Sequence, residues 1–109
     1  DKSIGVIVRD TGEEVIITTD GLRHGMNRSR NMKVISSITI HIGEILQNSI
    51  RINELTAKKE NALYSYVLLG TARDEDSIYI VRSVVNKYNK LDNVGVLYAI
   101  NVKKRSGCA

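Results

Sequence analysis

The sequence has no proline, no tryptophan and no phenylalanine, and five tyrosines supply all the large aromatic side chains of its 109 residues. A hydrophobic core therefore has to be built from Ile, Val and Leu. β-Branched side chains suit the pleated, half-buried surface of a sheet better than the crowded surface of a helix. The composition favours a domain rich in β-strands, and 109 residues are enough for one such domain.

Cysteine is almost absent as well. The single residue, Cys108, excludes an internal disulfide framework and any zinc site with several cysteines, and we interpret it as an unpaired thiol in the tail. No apolar run approaches the roughly 18 to 20 residues that a membrane-spanning helix needs. There is no secretion signal, and the chain begins at Asp1 without methionine. We therefore expect residues 1–109 to be a single domain from a longer protein, and the sequence leaves its localisation open.

The charges are unevenly distributed. Lysine and arginine outnumber the acids by 16 to 12, for a net charge of +4. No acid occurs between Asp20 and Glu44, where the sequence places Arg23, His24, Arg28, Arg30, Lys33 and His41. None follows Asp92 either, and the chain closes with Lys103, Lys104 and Arg105. Such segregation is typical of a phosphate-binding face. The alternative is a solvated surface on which the charges cluster by chance.

The apolar pattern predicts an α+β fold. Runs at 3–9 and 15–19 predict an N-terminal hairpin. Residues 20–31 contain few apolar side chains and predict an exposed polar loop with room for one helical turn. From 34 to 48 a stripe at helical spacing predicts one amphipathic helix, with Ile38, Ile42, Ile45 and Leu46 on its buried face. His41 lies off that stripe and is interpreted as a histidine on the helix surface.

Strand-like runs fill the C-terminal half. A short strand or extended segment is expected at 49–55, and longer runs at 62–71, 77–87 and 94–104 predict an antiparallel meander. In the last strand we expect the face carrying Val94, Val96, Tyr98, Ile100 and Val102 to pack against the helix. A bulge in the middle strand is expected to switch its faces. The predicted architecture is a hairpin and polar loop, then one main helix packed on a twisted antiparallel sheet of three to four or more strands.

His24 is the strongest candidate for chemistry, because the sequence has no nucleotide-binding glycine motif, no paired metal ligands and no Gly-x-Ser-x-Gly motif. A histidine exchanges a proton near neutral pH, and neighbouring arginines favour its neutral, basic form. Metal-free RNA cleavage needs a base for the 2′-hydroxyl, an acid for the 5′-oxygen and cations on the phosphate. Lys33 or Tyr66 is expected to supply the second proton-transfer group. The alternative for His24 is a loop residue that bonds its own backbone.

The tyrosines offer a second signal. Tyr64, Tyr66, Tyr79 and Tyr98 all lie in predicted strands, where a ring can stack on a base. The alternative is that these rings pack in the core or at its rim.

Four segments together carry a family resemblance: Asp20-Gly21-Leu22-Arg23-His24-Gly25, Glu44-Ile45-Leu46-Gln47-Asn48-Ser49, Tyr64-Ser65-Tyr66-Val67 and Val96-Leu97-Tyr98-Ala99-Ile100. They resemble the toxin and phage-associated nuclease domains of the barnase–EndoU–colicin–RelE superfamily. The nearest resemblance is to the branch found at the C-termini of MuF-like and polyvalent phage proteins. It spans residues 14–104.

The resemblance implies a metal-independent ribonuclease without cofactors, delivered into a target-cell cytoplasm as the C-terminal toxin module of a larger protein. Members often cut tRNA or other cellular RNA, and an immunity protein neutralises them. The net charge leads us to expect an acidic immunity protein that covers residues 21–33. By position, the resemblance implies that His24 is the catalytic histidine, that Arg28 and Lys33 are nearby cations, and that the polar groups of the sheet face come from Ser65, Tyr66, Thr71 and Tyr98. Together with the charge pattern, this leads us to expect catalytic roles for His24, Lys33, Tyr66 and Tyr98, and phosphate or RNA binding by Arg23, Arg28, Arg30, Ser65 and Thr71. The sequence departs from the EndoU pattern of two histidines and a lysine, since His41 falls within the predicted helix.

Three functions remain open from the sequence. The first is an RNA-cleaving toxin domain. The second is a non-catalytic module that binds nucleic acid or protein on the same scaffold, using the arginines but not His24. The third is a different enzyme, such as a nucleotide-using transferase.

Overall fold

A computed structural model describes residues 4–26, 32–57, 59–74 and 76–105, with backbone but not side chains for 23–26 and 32–35. Within these residues the chain forms six strands and three helices. In chain order they are β1 (Ile4–Ile7), β2 (Glu14–Ile17), α1 (Thr19–Met26), α2 (Met32–Ile40), α3 (Ile42–Gln47), β3 (Ile50–Leu55), β4 (Tyr64–Asp74), β5 (Ser77–Lys87) and β6 (Val94–Lys104). None of the helices in the described part is long and apolar enough to cross a membrane. The predicted tail thiol, Cys108, lies outside the described residues.

All six strands belong to one mixed sheet in the order β1-β2-β6-β5-β4-β3. The N-terminal hairpin pairs β1 with β2, and β3 to β6 form an antiparallel meander. The two parts join through a short parallel pairing of β2 with β6, from Glu14 opposite Val94 to Ile16 opposite Val96. The chain returns from β2 to β6 only after passing through the helices and three other strands.

The predicted architecture of one main helix on an antiparallel sheet of three to four or more strands is therefore wrong. The sheet has six strands and a parallel step, and the helical part consists of three short helices. Local periodicity missed the parallel step because the hairpin and β6 lie far apart in sequence. Their pairing is fixed by the shape of the whole sheet.

The sheet curves strongly around α3. This helix contacts both β1 and β4, which are separated in the sheet by three strands. The backbone N–H of Arg9 donates to the Gln47 carbonyl at 3.0 Å, and the N–H of Arg51 donates to the Asp10 carboxylate at 3.1 Å. The turn of the hairpin thereby meets the start of β3. The inner, concave face holds the core, and the outer, convex face is the opposite side of the sheet.

Residues 20–26 form most of α1 and not the predicted exposed loop. The Thr18 hydroxyl accepts a hydrogen bond from the Gly21 N–H at 3.0 Å, and the Thr18 carbonyl accepts one from Leu22. Leu22 packs against the core. A Cβ atom at Gly21 would overlap the Leu97 carbonyl of β6. Gly21 therefore permits close packing of helix on strand, whereas its sequence context suggested a loop glycine.

The predicted helix over 34–48 is interrupted at His41, which separates α2 from α3. The His41 N–H donates to the Ile38 carbonyl at 3.1 Å, and the His41 carbonyl accepts from Ile45 at 3.0 Å. Its dihedral angles, φ −103° and ψ 12°, are not helical. The predicted buried stripe of Ile38, Ile42, Ile45 and Leu46 is confirmed, because all four are buried.

The expected faces of the last strand are only partly observed. Tyr98 is an extra residue in β6, because Val85 pairs with Leu97 while Val84 pairs with Ala99. The bulge therefore lies on β6 and not in the middle strand. It places Leu97 before the bulge and Ile100 after it in the same core, while Val96 lies outside it.

Two helical glycines give a matched test of the packing between α1 and β6. Gly21→Ala is expected to lower the free energy of unfolding by about 1–3 kcal/mol, because the new methyl group overlaps the Leu97 backbone. Gly43→Ala in α3 is the control. Its Cβ would lie 3.6 Å from a Val6 methyl group, an ordinary contact, so we expect no loss and a gain of up to about 1 kcal/mol. Urea unfolding of both variants measures the difference, and equal stabilities would contradict the close packing.

Candidate functional site

A pocket of about 250 Å³ opens between the α2–α3 junction and the outer end of β4. Its lining consists of Ser37, Ile38, His41, Glu44, Ile45, Asn48, Thr71, Ala72 and Arg73. This volume lies slightly below the roughly 300–1,000 Å³ of pockets for drug-sized ligands. The pocket has room for one small polar group, such as a sugar phosphate or a base.

The helical wall of the pocket follows from sequence spacing. Its six residues, 37, 38, 41, 44, 45 and 48, recur at intervals of one, three and four, which places them on one face of successive turns. The buried Ile38 and Ile45 line its apolar part, while His41 and Glu44 are exposed. Apolar and titratable side chains therefore lie next to each other along the helical wall of the pocket.

The opposite wall of the pocket is the edge of β4 that the short strand β3 leaves uncovered. Strand β3 pairs with β4 only from Ser65 to Leu69, so residues 70–74 have no partner strand on that side. At Gly70, just beyond the last paired residue, the packing is close, since a Cβ there would lie 2.5 Å from the Ser49 hydroxyl. The pocket opens beyond this point, along Thr71, Ala72 and Arg73.

Three pocket side chains carry chemistry that the sequence reasoning missed. His41 precedes α3, Glu44 lies in its first turn, and both residues line the pocket. Arg73, exposed on β4, adds a permanent positive charge. The signal for the histidine and the glutamate was present as spacing on one helical face. The interruption at His41 and the uncovered edge of β4, which turn that face into a pocket wall, had no local signal.

Asn48 lies at the C-terminal end of the helical wall. Its amide donates to the Glu44 carbonyl at 3.0 Å, and its side-chain oxygen accepts from the Arg9 guanidinium at 3.4 Å. The side chain is thereby held between α3 and the turn of the N-terminal hairpin. It gives the pocket a fixed polar group beside the Glu44 backbone.

Several predicted site residues fall outside the described part of the chain. Arg28 and Arg30 lie outside the described residues altogether. Arg23 and His24 in α1, and Lys33 in α2, have a described backbone, while their side chains lie outside the described part. Their predicted roles therefore stay predictions.

Of the four predicted sheet residues, only Thr71 lines the pocket. Ser65 and Tyr66 are completely buried, and the Ser65 hydroxyl donates to Asn86 at 2.6 Å. Tyr98 is half-buried at the bulge of β6. Neither Ser65 nor Tyr66 presents surface to an RNA strand in this structure, and their predicted roles stay predictions.

Tyr66 belongs instead to a charged cluster at one end of the concave face. The Arg51 guanidinium lies 4.3 Å from the centre of the Tyr66 ring and 2.7 Å from the Glu13 carboxylate. The ammonium group of Lys87 lies 3.9 Å from Glu13 and donates to the Asp92 carbonyl. The cluster therefore joins the turn before β2 to β3, β4 and β5.

The cluster controls the ionisation of its members. Burial, reinforced by the nearby Glu13 charge, raises the pKa of Tyr66 well above its ordinary value. Partial burial works to lower the pKa of Arg51, but a hydrogen bond with Tyr64 and the Glu13 charge raise it overall. The phenol therefore stays protonated and the guanidinium stays charged. The Tyr66 hydroxyl has no hydrogen-bond partner among the described residues.

Comparison with family models, with curated proteins and with solved structures finds no match to this chain. Among the residues whose positions are described, no three His, Cys, Asp or Glu side chains gather into a group that could hold a metal ion.

Tyr66→Phe tests the burial of the phenol. Because the pKa is raised in the folded state, the unfolded chain releases this proton first as the pH rises. The wild-type free energy of unfolding should therefore fall above about pH 10 by up to about 1.4 kcal/mol per pH unit for this group. The variant should lose less stability over that range, and little or none at pH 8, where it removes only an unpaired hydroxyl.

Urea unfolding between pH 8 and 11 measures this difference. Tyr88→Phe, which removes a more exposed phenol and keeps Tyr66, is the control and should retain the fall. Identical pH profiles for wild type and Tyr66→Phe would show that the phenol is not buried as described.

Proposed function

We propose that this protein is a metal-independent endoribonuclease and that its cleavage site is the pocket between the α2–α3 junction and β4. The supporting observation is that His41 and Glu44 from the helical part and Thr71 and Arg73 from the uncovered edge of β4 line one small pocket. These groups are a proton donor, a proton acceptor, a hydroxyl and a cation. They correspond to the parts that metal-free RNA cleavage requires.

The reaction is an attack of the ribose 2′-oxygen on the adjacent phosphorus. Glu44 accepts the 2′-hydroxyl proton, the bond from the 2′-oxygen to phosphorus forms, and the bond to the 5′-oxygen breaks. His41 gives a proton to the departing 5′-oxygen. The products are a 2′,3′-cyclic phosphate and a 5′-hydroxyl end. Arg73, on the outer face at the uncovered edge of β4, reaches over that edge and balances the charge that develops on the non-bridging oxygens.

The resemblance to barnase–EndoU–colicin–RelE nucleases implies the same reaction class, with His24 as the catalytic histidine. The two assignments differ in position and not in chemistry. Separate substitutions of the two histidines therefore distinguish the two sites.

RNA cleavage by His41→Asn and Glu44→Gln tests the proposal. Each variant, incubated with RNA in the presence of a chelator, is expected to cleave about 10²–10⁴-fold more slowly than wild type. Gel analysis measures the rate, and chemical analysis of the ends identifies the cyclic phosphate. An RNA whose 2′-hydroxyls are methylated should not be cut.

The controls separate the pocket from alternatives. Glu60→Gln changes an exposed glutamate in the β3–β4 connection and should leave the rate unchanged. His24→Ala is the competing variant. If it abolishes cleavage while His41→Asn and Glu44→Gln retain the wild-type rate, the nuclease assignment stands and the pocket is not its centre.

A second candidate function is RNA binding without cleavage. The exposed cation Arg73 at the pocket favours it, since an arginine can hold a phosphate without reacting with it. RNA that is bound but never cut by the wild-type protein would support this function and contradict the nuclease.

A further inference from the structure

We infer that the convex face of β4, β5 and β6 is a binding surface for the backbone of single-stranded RNA and that it leads into the pocket. The surface itself is inferred from the register of the sheet. That the bound RNA leads into the pocket rests on the proposed function. We define the basic face by the outward residues of these strands near the β4–β5 turn. Its basic members are Arg73, Arg82, Lys103 and Arg105.

Strand register brings these residues together from distant parts of the sequence. Arg82 on β5 pairs with Leu69 on β4 and with Asn101 on β6. Two residues further along, Ile80 pairs with Thr71 and with Lys103. At the next step Ile78 pairs with Arg73, and its carbonyl accepts the backbone N–H of Arg105 at 2.9 Å. Paired residues lie on the same side of a sheet, so these three rows share one face.

The alternation of inward and outward side chains along each strand shows that these three rows lie on the convex face. Ala72, Tyr79 and Val102 pack against the core, and they alternate with the outward-facing positions along their strands. Arg73, Arg82, Lys103 and Arg105 are all exposed, while Ile78 and Ile80 between them are half-buried. The basic groups therefore surround a small apolar strip on the solvent side of the sheet.

The charge of this face has one sign. None of its described positions on β4, β5 or β6 carries an acid. The nearest acids in register, Asp74 and Asp76, lie at the β4–β5 turn, beyond the last row. Four cations spread over three adjacent strands complement an extended polyanion better than a single phosphate.

The basic face and the pocket share two residues. Thr71 and Arg73 belong to its outward rows and also line the pocket along the uncovered edge of β4. A flexible strand that lies across the face can therefore turn over this edge and place one nucleotide in the pocket. A duplex is too stiff for that turn, and the pocket is too small for a base pair. These features favour single-stranded RNA.

Binding to a non-cleavable RNA tests the surface separately from catalysis. The probe is a fluorescein-labelled 2′-O-methyl RNA of about 12 nucleotides, measured by fluorescence anisotropy from about 50 to 200 mM KCl. Arg82→Gln/Lys103→Gln is expected to bind about tenfold more weakly or worse. The slope of log K against log [KCl] should become shallower by about 0.7 for each phosphate that the variant no longer neutralises.

The matched control is Lys59→Gln/Lys90→Gln. It removes the same charge from exposed lysines in the loops at the opposite end of the sheet, and it should keep the wild-type affinity and slope. Equal weakening by both pairs of substitutions would show non-specific electrostatics and overturn the inference. So would unchanged binding by Arg82→Gln/Lys103→Gln. Equally tight binding of polyglutamate, reduced by the same substitutions, would identify a surface for acidic proteins and also overturn it.

Cleavage assays separate failure of the surface from failure of the proposed nuclease. A dinucleotide fills only the pocket and does not reach the basic face. The variant Arg82→Gln/Lys103→Gln should therefore cut a dinucleotide at the wild-type rate and cut long RNA about tenfold less efficiently than wild type. If wild type cuts nothing, the nuclease proposal fails, and the anisotropy result alone decides the RNA surface.

Discussion

The ion pair between Arg51 and Glu13 is the interaction on which the shape of this domain depends. It joins the edge strand β3 to the turn of the N-terminal hairpin, across three intervening strands of the sheet. The Arg51 backbone also binds Asp10 in the same turn, so side chain and main chain hold one contact. The carboxylate is largely buried, and a partly desolvated pair of this kind tolerates the loss of a partner poorly. Stacking of Arg51 on Tyr66 adds an apolar surface that keeps the guanidinium in place.

The curvature fixed by this contact gives the two faces of the sheet different roles. On the concave side, α3 fits between β1 and β4, which allows a core made of aliphatic side chains and one buried tyrosine. Phenylalanine and tryptophan are not needed, because a curved sheet encloses a short helix from several directions. On the convex side Val67 and Val84 are buried at the far end of β4 and β5, while the outward positions near the β4–β5 turn carry arginine and lysine. Near the β4–β5 turn the sheet therefore separates an apolar interior from a basic exterior.

The sequence predicted those parts of the structure that depend on local periodicity. The stripe of Ile38, Ile42, Ile45 and Leu46 is buried, and β5 and β6 have the predicted bounds. It could not predict features that depend on distant contacts. Gly21 resembled a loop residue because its packing partner, Leu97, is far away in the chain. His41 resembled a surface residue because the wall opposite it comes from β4. The basic face could not be predicted either, because its members lie on three strands with no shared motif.

The length of β3 connects the pocket to the outer face. Had this strand continued to cover residues 70–74 of β4, its backbone would have filled the space in which the pocket opens. Thr71 and Arg73 would then have faced a neighbouring strand and not a free edge. Free sheet edges carry a risk of aggregation, and natural proteins usually shorten them or place charge on them. Here Arg73 provides such a charge at the position where the pocket and the basic face meet. A feature that protects the edge can thus also bind an anion, which explains how a short strand creates a site.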